Sequence, residues 1–322
     1  MDIGSTIGLK VGKATRVAFG ETLRDLGAED LSLVVVDADL NNSTRTDMFA
    51  RAHPDRFFNV GIAESNMVGV AAGLAAAGKR AWCSSFATFV LSNAYDQLRM
   101  SVAFPGVNVK VVGSHSGISI GEDGPSQMGI EDMGLACSLP GFTVLVPCDE
   151  RSTQLATRAL HAVDGPGYLR TGRPNAPIVY EADTPWELGK ATRLRDGTDL
   201  TLIANGLMVP VALEAAGHLE QSGVSVRVLD LHTLKPLDTA ELEAAARETG
   251  RIVVVEEHLA QGGIGSIVAM AVAGTCPVPM RFVNLGDRFA ESGSPESLME
   301  TYGLTFPAVV RAARELLPGR AG

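Results

Sequence analysis

Short apolar runs recur along this chain with stretches of helical periodicity between them. LSLVVVDADL (31–40), RAWCSSF (80–86), VNVKVVGSH (107–115), FTVLVP (142–147) and GYLRTGR (167–173) have the length and β-branched content of buried strands. KATRVAFGETLRDLG (13–27), ATFVLSNAYDQLRMSVAF (87–104), IEDMGLACSL (130–139) and ERSTQLATRALHAV (150–163) alternate with them and read as helices. Strands and helices alternating at this spacing imply a mostly parallel sheet covered on both faces. Two polar loops, NNSTRTD (41–47) and SGISIGEDGPSQMG (116–129), follow strands directly. They would lie at the carboxyl edge of the sheet, where open α/β folds place ligands. A Pro-punctuated acidic stretch, RPNAPIVYEADTPWELGKA (173–191), interrupts the pattern. TDLTLIANG (198–206), VSVRVLDLHTL (224–234), GRIVVVEEH (250–258) and PMRFVNLG (279–286) then begin a second series of strands with helices between. The expected architecture is α/β in two domains, 1–180 and 196–322, joined by a linker at 181–195.

One segment departs from this regularity. FFNVGIAESNMVGVAAGLAAA (57–77) puts a carboxylate, Glu64, at the mouth of a helix built almost wholly of small apolar residues. Gly69 and Gly73 sit four apart, a spacing that admits a second backbone or a flat ligand at a cost in helix propensity of up to ~1 kcal/mol per glycine. Ser65 or Asn66 would cap the helix, and its dipole favours Glu64 at that end. Phe57, Phe58, Val60 and Ile62 lead into the segment. With apolar residues on both sides, Glu64 is expected to be partly buried, and a carboxylate shielded from water is a candidate for proton chemistry. GGIGS (262–266) also opens a helix, but it lacks the full spacing of a phosphate-binding glycine loop, and close packing or an interface turn explains it better.

Composition narrows the function. A 322-residue chain with 46% hydrophobic but only 5% aromatic residues suits a core of Ala, Val, Leu and Gly. A net charge of −10 argues against a nucleic-acid surface and against anionic membranes. Cys83, Cys137, Cys148 and Cys276 are far apart with no CxxC pair, which excludes a zinc ribbon or a disulfide framework and suits a reducing compartment. No apolar run reaches membrane-spanning length. A soluble cytoplasmic protein is expected.

Three segments taken together, HSGISIGEDGPSQ (115–127), GIAESNM (61–67) and FATF (86–89), resemble the pyrimidine-binding half of transketolase and of its relative 1-deoxyxylulose-5-phosphate synthase. The resemblance extends over nearly the whole chain, through the second domain and its GGIGS. It implies that Glu64 hydrogen-bonds the pyrimidine ring of thiamine diphosphate and shares a proton with it, and that Phe86 and Phe89 lie against that ring. Asp39 would stand near the middle of the cofactor. His115, taken as catalytic with Glu64, and Asp123 would contact sugar hydroxyls. Arg16, Ser43 and Arg173 would converge on a sugar phosphate, a chemistry suited to an arginine pair with a hydroxyl. The activity implied is transfer of a two-carbon ketol unit from a ketose to an aldehyde.

The chain differs from the family pattern in two respects. Gln127 stands where the family's loop carries a second histidine, and Ser65 where histidine or glutamine is common. Glutamine cannot titrate, so the usual donor ketose is in question. In addition, no GDG motif precedes a pair of asparagines, the pattern through which this family holds Mg2+ or Ca2+ and the diphosphate. The resemblance therefore implies the small subunit of a split transketolase, inactive alone. A large partner subunit would carry GDG…NN and the metal, and two copies of each would form a heterotetramer. The alternatives are the beta subunit of a 2-oxo-acid dehydrogenase, a split deoxyxylulose-phosphate synthase, or a non-catalytic regulatory subunit.

Overall fold

A computed structural model describes residues 3–317. In chain order the first strands are β1 (Val11–Ala14), β2 (Leu33–Asp37), β3 (Phe57–Asn59), β4 (Arg80–Phe86), β5 (Val109–Ser114), β6 (Thr143–Leu145), β7 (Gly167–Arg170) and β8 (Asn175–Pro177). They are followed by β9 (Thr192–Arg195), β10 (Leu200–Ala204), β11 (Val226–Asp230), β12 (Thr233–Lys235), β13 (Ile252–Val255) and β14 (Met280–Val283). The α/β class and the two parallel-rich sheets flanked by helices are as the alternation predicts.

The larger sheet runs β12-β6-β7-β5-β4-β2-β3, parallel except for β12. From β2 the chain steps outward to β3, then crosses back over β2 to lay down β4 on its other side. That reversal opens a crevice at the carboxyl ends of β2 and β4, where ligands bind in sheets of this kind. The second sheet, β14-β13-β10-β11-β9, is parallel except for its β9 edge. Its three central strands, β13, β10 and β11, are uniformly buried, as expected where helices cover both faces.

Several expected boundaries move. The acidic stretch 173–191 starts with a strand, β8, which pairs with β1, and the expected linker 181–195 ends in another, β9, which pairs antiparallel with β11. Both are short edge strands without an apolar run, so periodicity does not reveal them. The single strand expected over 224–234 is two. β11 stays in the second sheet, whereas β12 leaves it to pair with β6 at the edge of the first. The helix expected over 87–104 breaks into Ala87–Ser92, Tyr95–Gln97 and a π-helical turn, Leu98–Ala103. At the first break the Asn93 carbonyl accepts a hydrogen bond from Ser65 Oγ at 2.8 Å. Ser65 is thereby spent. Ala63 occupies the cap position of the Glu64–Ala76 helix, which has no side-chain cap at all. The loop expected over 41–47 folds into the short Asn41–Thr44 helix. Gly69 and Gly73 face open space within this chain. Among the described residues no helix is long and apolar enough to cross a membrane.

Candidate active site

The crevice between β2 and β4 is built from the end of each strand. β2 ends on Asp37, fully buried, whose carboxylate accepts hydrogen bonds from Leu40 N (2.8 Å), Thr44 Oγ1 (3.0 Å) and Thr46 Oγ1 (2.8 Å). Burial nevertheless pushes its pKa up to about 6. This fan of donors folds residues 39–46 into a fixed arch, in which Asp39 (φ 66°) and Arg45 (φ 71°) take the left-handed conformation uncommon for side-chain-bearing residues. Asp39 is exposed and accepts a hydrogen bond from Asn59 Nδ2 at 2.9 Å, tying the arch to β3. Ser43 is half-buried within it.

Glu64 is 6% exposed. Of the flanking apolar residues, Ile62 is 86% exposed and Phe58 39%, while Phe57 and Val60 are half-buried. The Glu64 carboxylate lies against the end of β4, where Ser85 Oγ donates to Oε1 at 3.1 Å. The next residue is Phe86. Phe89 stacks with it (centroids 5.5 Å apart, 11° between planes) and so does His115 (3.9 Å, 21°). Phe86 is buried and Phe89 half-buried, so Phe89 is the more accessible of the two phenyl rings.

His115 follows β5 with φ 58° and is 3% exposed. Its Nδ1 lies 2.9 Å from Ser114 Oγ and its Nε2 3.4 Å from an Arg16 guanidinium nitrogen. A guanidinium only donates, so Nε2 is the acceptor and the proton resides on Nδ1. Burial, then the charges of Arg16, Arg173 and Arg45, push the His115 pKa down to about 3. The ring is neutral at any ordinary pH.

Arg16 donates to the Ser43 carbonyl at 2.8 Å. Burial, with Arg45 and Arg173 nearby, lowers its pKa to about 10. Arg173 donates to Ile120 O at 2.5 Å and stands 3.4 Å from Glu122 and 3.7 Å from Asp123. The structure thus gathers Arg16, Ser43, His115, Asp123 and Arg173 around one cationic pocket. Gln127 is half-buried on the same loop, its N–H donating to Gly124 O at 3.0 Å. Arg45 stands near enough for its charge to act on both Arg16 and His115, although in the sequence it is one charge in a polar loop. The available signal was its place two residues after Ser43, and a glycine at position 20: a Cβ there would collide with the Arg45 carbonyl.

The second domain holds this loop in place. Glu257, at the end of β13, accepts a hydrogen bond from Ser119 N at 2.5 Å, and a Cβ on Gly117 (φ 82°) would strike its carboxylate. Leu259 N donates to Ile130 O at 2.9 Å, and Arg170 bridges the Gly129 and Glu257 carbonyls. GGIGS is close packing, as its spacing suggested. The Glu256 carboxylate already accepts from Ile264 N (2.6 Å) and Gly265 N (3.1 Å), so no phosphate can take that helix end.

The fold defines a two-domain α/β protein with a candidate ligand site at the switch point of its first sheet. Residues 12–179 match the transketolase pyrimidine binding domain and residues 189–309 the transketolase C-terminal domain. The chain belongs to the transketolase family. It is 40% identical to the 6-deoxy-6-sulfo-D-fructose transketolase subunit SqwH of a Clostridium species, over 94% of each chain. Against human transketolase the identity is 38%, covering 96% of this chain and 50% of that protein. A solved structure described as "Split gene transketolase, inactive beta4 tetramer" superposes with TM-score 0.86 at 42% identity, over 95% of this chain and 98% of that one. Membership implies dependence on thiamine diphosphate.

Proposed function

We propose that this chain is the pyrimidine-binding subunit of a split, thiamine-diphosphate-dependent transketolase, moving a two-carbon ketol unit from a phosphorylated ketose to an aldehyde. The observation that carries this reading is the convergence, at one switch point, of a buried glutamate, a stacked ring pair and a cluster of arginines. The residues fit the pyrimidine end of the cofactor. Glu64 Oε1 has a single protein donor in Ser85, which leaves Oε2 for a ligand, and Phe89 offers a flat surface. When bound, thiamine diphosphate supplies the nucleophilic carbon that carries the transferred unit.

This chain's residues act around that carbon. Glu64 holds and releases a proton at the pyrimidine ring, and Ser85 fixes the carboxylate's rotamer. His115, neutral with its proton on Nδ1, takes a sugar hydroxyl at Nε2 in place of the long 3.4 Å contact from Arg16, rather than serving as an acid. Arg16, Ser43 and Arg173 receive the phosphate at the far end of the substrate and so set its reach into the crevice. Asp39 lies toward the cofactor's middle, Asp123 toward the sugar, and Gln127 faces the donor's reacting end with an amide in place of an imidazole.

The diphosphate and its Mg2+ or Ca2+ are assigned to a large partner subunit carrying GDG…NN, two copies of each chain forming the active assembly. The relatives' names support a divided enzyme: one is a transketolase subunit, and another structure is of a split-gene transketolase in an inactive beta4 state. Calorimetric titration with cofactor and Mg2+ tests the division. The chain alone is expected to bind weakly and the reconstituted pair tightly. Submicromolar binding by the chain alone overturns the divided site.

A further inference from the structure

We propose that Arg45 is a specificity-determining contact for the substrate's terminal group, selecting a doubly charged phosphate monoester over a singly charged sulfonate. This deepens the transketolase reading and rests on it for the substrate's orientation. The argument starts from which charges in the pocket are already matched. Arg173 has two carboxylates close by, Glu122 at 3.4 Å and Asp123 at 3.7 Å. His115 is neutral. Arg16 and Arg45, by contrast, form no ion pair among the described residues, and the Nε of each is buried without a hydrogen-bond partner. Arg16 donates to Ser43 O, two residues before Arg45, so two guanidiniums without an ion pair meet at the same arch.

Buried donors left without acceptors are costly, and like charges held together are costlier still unless an anion joins them. A group with one negative charge leaves one guanidinium unmatched. A phosphate monoester, at about −1.5 to −2 near neutral pH with three acceptor oxygens, matches both. Arg45 is also preorganised for the task. Thr44 and Thr46, on either side of it, both donate to Asp37, and its own carbonyl is packed against Gly20. The arch is thus fixed before any ligand arrives, which reduces the entropy cost of binding.

The test uses the full chain, without partner or cofactor. Inorganic phosphate, largely dianionic at pH 8, is titrated by calorimetry against methanesulfonate at matched ionic strength. Phosphate is expected to bind and methanesulfonate to bind at least tenfold more weakly, with roughly tenfold or greater loss of phosphate affinity in Arg45→Met. Arg45→Lys keeps the charge but not the fork, and should fall between; it carries the test if the methionine variant does not fold. Arg193→Met, which removes a cation already paired with Glu241 and Asp196, should bind phosphate as the parent does. Equal affinity for the two anions, or undiminished phosphate binding in both Arg45 variants, overturns the proposal. The binding assay requires no transferase activity. Phosphate binding through Arg45 in a chain that stays inactive with its partner would overturn the transketolase reading alone. An active complex whose KM for phosphorylated sugars is indifferent to Arg45→Met would overturn this one alone.

Discussion

Each domain places a buried glutamate at the start of a helix, and the two are used in opposite ways. In the second domain Glu256 is fully buried and its carboxylate accepts three hydrogen bonds, from Ile264 N, Gly265 N and Asn284 Nδ2. Gly263 and Gly265 are there because a Cβ on either would strike that carboxylate. In the first domain Glu64 is the first residue of its own helix, accepts one side-chain hydrogen bond, and faces a crevice. Burial alone does not separate the two. What separates them is how many donors the protein supplies and whether the remaining lone pairs face protein or ligand. A carboxylate whose lone pairs are mostly used inside the chain holds structure; one kept short of donors beside an opening is available for chemistry.

The comparison can be broken most decisively at Glu64. Glu64→Gln keeps shape and one acceptor but cannot exchange the proton. Transfer activity of the reconstituted complex should fall by ~10²–10⁴, while the variant's melting temperature stays close to the parent's. Retention of full activity would put Glu64 in the same structural role as Glu256. The reciprocal change, Glu256→Ala, should cost about 2–3 kcal/mol in urea unfolding at pH 6. It strips two helix N–H groups of their acceptor and leaves a gap beneath the glycines. A loss well below 1 kcal/mol would show that water replaces the cap without penalty.

The third effect concerns pH. Burial, only partly offset by the Gly265, Asn284 and Ile264 donors, pushes the Glu256 pKa up to about 7 from its ordinary 4.5. A raised folded-state pKa means that the folded protein binds the proton more tightly than the unfolded chain. Its contribution to stability is present below about pH 4.5 and is lost as pH rises through about 7. Glu256→Gln removes this dependence, so the variant should gain on the parent by about 2.5 kcal/mol between pH 5 and pH 8. Urea unfolding across that range measures it; a constant difference would mean that Glu256 does not titrate there.

Much of the crevice could be read along the chain because its parts are local. Glu64 begins a helix, Phe86 ends a strand, and His115 follows one, so each lands on the carboxyl edge once the strands are placed. The errors concern contacts between segments distant in sequence. The flanking residues of Glu64 suggested that they bury it; in the structure Ile62 is exposed, and the carboxylate meets Ser85 at the end of β4. Ser65 has the composition of a helix cap but spends its hydroxyl on Asn93 O. Arg45 looks like any charge in a polar loop until the arch on Asp37 brings it beside Arg16.

By itself, the sequence determined the alternation of elements, the parallel sheets and the candidate carboxylate, because hydrophobic periodicity and strand-end placement are properties of neighbouring residues. Only the tertiary structure decided which charges meet. The pairing of Arg173 with Glu122 and Asp123, the unmatched Arg16 and Arg45, and the grip of Glu257 on Ser119 depend on strand order and domain docking. Electrostatic and hydrogen-bond energies vary over a few ångströms, and separation along the chain does not specify distance in space at that scale.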